Sequence, residues 1–263
     1  HSSNPIKIGL EKLKRRGAKF VSINPVRTGY SSIADEWVPI RPGTDGLLAL
    51  AIVHVLLKRE LFDWEFLVRT TNAAWLVIDA PGTAKDGLFL RNDDNQPLVY
   101  DQATGVPSAL AKGVQPAMFG AFDLAGKFDG IRVRTVMSLM AERYLADSYA
   151  PESVAGQCGV PAAQIERLAL EMAQIAFEEP IELPIPWTDV WGNKHEKTIG
   201  RPVAMFAMRG VSAHSNGFQT CRALHVLQIL LGTVEVPGGM RFKPPYPKPV
   251  GIHPKPHSGV TPG

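Results

Sequence analysis

A chain of 263 residues with 45% apolar and 20% charged side chains can bury a core of one or two domains, which excludes global disorder. Its net charge of +3 is too small to imply a nucleic-acid or membrane-surface partner. Two cysteines, Cys158 and Cys221, cannot by themselves build a disulfide framework, a structural zinc site or an iron–sulfur cluster.

The first segment holds an excess of basic residues, Lys7, Lys12, Lys14, Arg15, Arg16 and Lys19 against Glu11. Ser3 or Asn4 can cap a helix there, with Pro5 at its first position. Ile6, Leu10 and Leu13 share one face, and Gly17 supplies a left-handed stop. The basic run is most simply a solvated helix face. Phe20, Val21 and Ile23 follow as a short strand that Asn24-Pro25 ends. Ile33 to Ile40 is a second short apolar segment. The turn Arg41-Pro42-Gly43-Thr44-Asp45 opens a helix over about residues 46–58, apolar enough for burial on most sides. Its apolar stretch, Leu47 to Leu57, is interrupted by His54 and falls short of the ~18 residues of a membrane span. Asp63 is expected to cap a short helix.

Beyond residue 70 the pattern is less regular. Leu88 to Leu90 and Leu98 to Tyr100 flank Asp93-Asp94-Asn95, which predicts a hairpin. Residues 105–130 read as loop and 133–145 as helix. After Pro161, the spacing of Ile165, Leu168, Ala169, Met172, Ile175 and Ala176 predicts an amphipathic helix. Residues 180–200 read as loop, 203–208 as a buried strand, 209–217 as a polar turn and 219–231 as a helix. The Pro-rich stretch after residue 243 predicts an extended tail.

The fold class expected is therefore α/β, with a largely parallel, dinucleotide-binding-like sheet flanked by helices and a mostly helical C-terminal part. The expected organisation is a cofactor-binding domain over residues 1–201, a strand, loop and helix of a neighbouring domain over 202–243, and the tail over 244–263. There is no initiator Met or signal-type segment at His1. Both ends are expected to lie inside a longer chain, located in the cytoplasm or on the cytoplasmic face of a membrane.

Ligands of open α/β sheets bind at the carboxyl ends of strands. Three polar loops are placed there: Asn24-Pro25-Val26-Arg27-Thr28; Arg41-Pro42-Gly43-Thr44-Asp45; and Arg209-Gly210-Val211-Ser212-Ala213-His214-Ser215-Asn216-Gly217. Arg27 suits a phosphate. A helix opening on Gly-Thr-Asp offers free N–H groups and a carboxylate, and glycines allow close approach of a cofactor to backbone. Each loop taken singly has an ordinary structural role as a turn or a cap. Cys158 is read as structural and Cys221, inside an apolar helix, as core, and His253 and His257 in the Pro-rich tail are not read as metal ligands.

Two stretches carry a resemblance. One runs from Gly17 through Asn24-Pro25-Val26-Arg27-Thr28 and Ala34-Asp35-Glu36-Trp37 to Pro42-Gly43-Thr44-Asp45. The other is Arg209-Gly210-Val211-Ser212-Ala213-His214-Ser215-Asn216-Gly217, continuing to Leu231-Gly232 and Pro237-Gly238-Gly239. With Tyr149-Ala150-Pro151-Glu152 and Gly159-Val160-Pro161 between them, the chain resembles the dimethyl-sulfoxide-reductase family of molybdopterin oxidoreductases. The resemblance implies an internal part of a large catalytic subunit whose cofactor is molybdenum or tungsten held by molybdopterin guanine dinucleotide. By the same resemblance, Asn24 to Thr28 and Gly43 to Asp45 would hold one guanine dinucleotide. Arg209 to Asn216 would approach the pterin, and His214 would take a catalytic or pterin-contacting role. No residue here is assigned as a metal ligand, and an iron–sulfur cluster would belong to a missing N-terminal part. The polypeptide alone is expected to be inactive. Its implied partners are the missing domains, a membrane anchor subunit, plus an iron–sulfur electron-transfer subunit. Arg209 to Thr220 and the Phe-Lys-Pro-Pro-Tyr-Pro run resemble the sulfur-oxyanion group, which includes sulfite-oxidising and thiosulfate-, tetrathionate- or polysulfide-reducing enzymes. The competing expectation is a stand-alone, non-catalytic nucleotide-binding or interaction module.

Overall fold

The computed structural model describes residues 4–27, 29–207 and 209–240. The expected tail over 244–263 and the capping Ser3 lie outside the described residues. Helix α1 (Asn4–Arg15) ends before Gly17, whose φ of 94° is the left-handed stop that glycine adopts without steric cost. Strand β1 (Val21–Ile23) then pairs in parallel with β2 (Glu36–Val38), in the register Val21 to Glu36.

Helix α2 (Asp45–Lys58) is the hub of the molecule. Ten of its fourteen residues are buried, because its composition presents apolar side chains all round rather than along one stripe. Around it lie α4 (Val136–Tyr144), α5 (Pro151–Cys158), α6 (Ala162–Glu178) and α7 (Gly217–Leu230). Helix α3 (Trp64–Thr70) is capped by Asp63, whose Oδ1 accepts from the Phe66 N–H. The same carboxylate accepts from Arg201 Nε and Nη2 at 3.1 and 2.7 Å. One side chain thereby ties a helix start to the distant segment at residue 201.

Strand β3 (Leu76–Ile78) begins a mostly antiparallel region. The expected hairpin forms around an Arg91–Pro97 bridge, leading into β4 (Leu98–Asp101). Residues 105–130, expected as loop, instead contain β5 (Val106–Ala109) and β6 (Ala121–Asp123). β5 pairs with β4, and β6 joins β3 across β7 (Arg132–Thr135). The helix expected from residue 133 starts only at α4 (Val136–Tyr144), since Val133 to Thr135 complete the central strand of that sheet. This region has its own small core of Leu76, Leu90, Leu98, Leu124 and Val133, with Tyr100 and Phe122 stacked at 3.8 Å.

Helix α5 (Pro151–Cys158) and helix α6 (Ala162–Glu178) follow. The apolar face of α6 is buried at Ile165, Leu168, Ala169, Ala173 and Ala176, as its periodicity predicts. On its other side, Glu36 of β2 accepts from Gln164 and pairs with Arg167 and Lys19, so the parallel pair is bolted to α6.

Residues 180–200 are not loop. They form a two-tiered hairpin of β8 (Ile181–Leu183), β9 (Trp187–Thr188), β10 (Lys194–His195) and β11 (Thr198–Gly200). Its tip is organised by Asp189, which accepts from Asn193 N–H and Nδ2, Trp191 N–H and His195 Nε2. Burial opposes ionisation of this carboxyl, but the Asn193, His195 and Trp191 donors outweigh it and hold its pKa far below the ordinary carboxylate range. A carboxyl depressed in the folded state stabilises it above the unfolded pKa of about 4 and loses that contribution as pH falls below that value. Hydrogen-exchange protection of the Trp191 and Asn193 amides, corrected for intrinsic rates, is therefore expected to be level from about pH 7 to about pH 5 and to decline below about pH 4. Asp189→Ala should remove it at every pH.

The strand expected at 203–208 is absent among the described residues. Residues 201–207 run without regular structure, because no strand among the described residues pairs with them, although Val203 and Met205 lean on the main core. Met208 lies outside the described residues. Helix α7 (Gly217–Leu230) closes the fold against α2. Gly46 of α2 makes that crossing close, since a Cβ there would sit 2.8 Å from Thr220 Oγ1 and 3.0 Å from Thr220 Cα.

The fold is mixed α/β, with seven helices and small sheets among the described residues. Among the named strands parallel pairing is confined to β1 and β2, so the largely parallel sheet is corrected to one parallel pair beside antiparallel hairpins. None of the described helices is long and apolar enough to cross a membrane.

Candidate functional site

The first two loops leave the carboxyl ends of the two parallel strands. Asn24, directly after β1, folds its own turn. Its Oδ1 accepts from the Val26 N–H, and its carbonyl accepts from Trp37 Nε1 at 2.8 Å. Arg27 rests over the Trp37 ring, 6.0 Å from its centroid. Asn24, Pro25 and Arg27 are exposed; Thr28 lies outside the described residues.

The second loop is held from below. Arg41 N–H donates to the Cys158 carbonyl, and Arg41 Nη1 donates to Gly156 O at 2.6 Å. A cation at the end of α5 satisfies carbonyls that the helix leaves open. Gly43 has φ of 80°, a left-handed conformation suited to glycine. Thr44 sits at the N-cap of α2, but its hydroxyl donates back to Arg41 O and caps nothing. The N–H groups of Asp45 and Gly46 thus keep their capacity for an acceptor, while those of Leu47 and Leu48 donate to the Thr44 carbonyl. Asp45, the first residue of α2, is half-buried and has no hydrogen-bond or ion-pair partner among the described residues.

The third loop meets the second. Asn216 Nδ2 donates to Gly43 O at 3.0 Å, and His214 Nδ1 lies 3.9 Å from where a Cβ on Gly43 would sit. This loop does not follow a strand, as expected, but an unpaired stretch. It opens with a 3-10 turn, Arg209–Ser212, in which Ser212 Oγ donates to Arg209 O. Gly210, Ser212, His214, Ser215 and Asn216 are exposed. The structure therefore joins the second and third loops directly. The first loop is related to them through the adjacency of β1 and β2.

Beneath the third loop is a cavity of about 300 Å3, lined by Met205, Arg209, Ser212, Cys221, His225 and Gln228 among others. Gln228 is 2% exposed, and its Oε1 is a buried acceptor without a partner among the described residues. An unsatisfied buried carbonyl costs about 1–3 kcal/mol, so this atom marks a place where a donor is wanted. Sequence reasoning missed Gln228, because one amide inside the apolar run of α7 carries no motif. It also took Cys221 for core, whereas Cys221 is only half-buried and faces the cavity. Cys158 is fully buried at the end of α5. Among the described residues no group of three or more His, Cys, Asp or Glu is placed to hold a metal ion.

The family model described as molybdopterin oxidoreductase matches residues 3–244 of this chain. A sulfite dehydrogenase subunit of Allochromatium vinosum is 49% identical over 269 residues, covering 98% of this chain and 27% of that protein. The putative dimethyl sulfoxide reductase catalytic subunit of Halobacterium salinarum is 36% identical, over 59% of this chain and 18% of that one. A tetrathionate reductase subunit of Archaeoglobus fulgidus is 28% identical, over 78% and 17%. The chain spans about a quarter or less of the length of these relatives.

Proposed function

Because this chain belongs to the molybdopterin oxidoreductase family, we propose that it serves as the part of a larger catalytic subunit that grips one pterin guanine dinucleotide. The observation that carries the reading is the bond from Asn216 to Gly43, which clasps two polar loops together beside a cavity with an orphan acceptor.

The residues fit such a group. Pterin and guanine rings present N–H donors, and Gln228 Oε1 and the Asp45 carboxylate are acceptors without partners among the described residues. A pyrophosphate calls for N–H groups and guanidinium, which the start of α2 and Arg209 supply. When bound, the molybdenum or tungsten pterin supplies the two-electron chemistry. The chain's own part is binding and orientation. Asp45 and the α2 amides fix the nucleotide end, Arg209 and Ser212 border the pterin end, and Gln228 reads a ring donor. Asn24 and Arg27 frame the outer side of the same strand edge, and His214 stands over Gly43 as the group nearest a reacting substrate.

In the longer protein, β1 and β2 would belong to a larger parallel sheet, and residues 202–243 would form part of a neighbouring domain. The unpaired run 201–207, with Phe206 60% exposed, supports that division. The parent's reaction is proposed to be oxidation or reduction of a sulfur oxyanion, in keeping with the names of the relatives. That these relatives are named as subunits supports a complex with further chains, for which an iron–sulfur electron carrier and a membrane anchor are the natural chemistry.

The test is cofactor content of the full-length protein. Asp45→Ala and Arg209→Ala are each expected to lower released guanosine monophosphate and molybdenum or tungsten per chain by about tenfold, the loss of one charge-assisted contact. Full occupancy in both variants would sink the reading.

A further inference from the structure

A second recess lies on a different face of α7 and shares no lining residue with the cavity of Gln228. It has a volume of about 170 Å3 and is lined by Arg143, Tyr144, Tyr149, Gln219 and Arg222, with Leu50 of α2 at its side. Its frame is fixed. The Tyr144 carbonyl meets His54 Nδ1 at 2.9 Å, which pins the end of α4 to the hub helix. The Tyr144 and Tyr149 rings pack edge to face with centroids 5.7 Å apart.

Its chemistry is one-sided. Arg143 and Arg222 bring two guanidinium groups from different helices, and neither has an ion pair or hydrogen bond among the described residues. Tyr144 is 8% exposed, and its hydroxyl has no hydrogen-bond partner among the described residues. No carboxylate among the described residues lines the recess, and the adjacent Glu142 is engaged by Arg134. Two like charges beside a recess without a counter-charge favour an anion there. Guanidinium presents a planar fork matched to oxyanions. A carboxylate has two oxygens in one plane. A recess lined by two arginines, two tyrosines and a glutamine from three separate segments is better matched by oxygens arranged in three dimensions.

We propose that this recess binds a small tetrahedral oxyanion of the phosphate or sulfate type. The site does not rest on the cofactor reading, since it uses none of the same residues.

Calorimetric titration of the full-length protein with inorganic phosphate, sulfate and acetate, at constant ionic strength, tests it. Phosphate or sulfate should bind saturably with one site per chain and compete with each other, while acetate binds at least about tenfold more weakly. The tighter of the two tetrahedral anions identifies the source. Arg143→Gln and Arg222→Gln should each weaken binding by about tenfold, and Tyr144→Phe by about threefold, the loss of one neutral donor. Unfolding temperatures without anion should be unchanged in Arg143→Gln and Arg222→Gln, whose side chains are exposed. Absence of a saturable site, as would follow if a carboxylate elsewhere in the longer protein already held the arginines, overturns the proposal. So does binding that persists in the two arginine variants, or acetate binding as tightly as phosphate.

Discussion

Truncating Leu56 to alanine is expected to lower stability by about 3 kcal/mol, the largest single loss predicted for this chain. Leu56 is wholly buried in α2, at the centre of the main core. Removing its branched end forfeits the transfer energy of three carbons. It also leaves a void that helices held on several sides cannot close. The helices that pack on α2 come from distant positions in the sequence, so the damage should spread to α6 and α7 rather than stay local. The control is Leu170→Ala on α6, where the side chain is 39% exposed and the loss should stay under about 1 kcal/mol. Urea midpoints at constant slope decide it. Equal shifts for the two variants would mean that α2 is not the hub.

How much of this was readable in the sequence depends on how local the cause is. The burial of α2 follows from its own composition, and the face of α6 from its own spacing. The Asp63 cap needs only a carboxylate three residues before the Phe66 N–H. The stop at Gly17 and the parallel β1 segment are likewise set by neighbours in sequence. Strands β5 and β6 escaped because three or four residues, all exposed or half-buried, are too short a run to establish an apolar alternation. Each exists through the neighbouring strand of a hairpin, β4 for β5 and β7 for β6, so its cause lies in the pairing and not in its own composition. The hairpin at 181–200 is held largely by Asp189 gathering donors from the residues after it, a local device that hydrophobic patterning does not see. The opposite error occurred at 203–208. An apolar run reads as a strand, yet a strand requires a neighbour, and none of the described residues supplies one. At the site, the loops were marked by Gly, Asn and Asp in turn positions. Their meeting through Asn216 and Gly43, 173 residues apart, was not. The orphan acceptor of Gln228 and the arginine pair of the second recess are equally products of assembly.

Gly217→Val is expected to cost the full-length protein its cofactor while leaving most of the fold intact. Gly217 is not in the left-handed region, so the demand for glycine here is one of space rather than of backbone torsion. A Cβ at this position would overlap the Ser212 carbonyl and lie 2.8 Å from Ser212 Cα. Backbone cannot swing aside as the end of a side chain can, so the turn Arg209–Ser212 must move off the start of α7. That displacement pulls on Asn216, whose bond to Gly43 joins the two proposed cofactor loops, and shifts Arg209 and Ser212 at the mouth of the Gln228 cavity. The rest of α7 is anchored by Ala223, Leu227 and Leu230 in the interior, so overpacking should cost no more than about 1–3 kcal/mol. Cofactor content should nevertheless fall by about tenfold or more, because a site assembled from loops tolerates little misplacement. The pairing of outcomes is what discriminates. A folded variant that has lost its pterin places the cofactor against this loop. A folded variant that keeps a full complement would mean that the loop only closes the end of a helix, and the assignment of Arg209 to Asn216 would have to be abandoned.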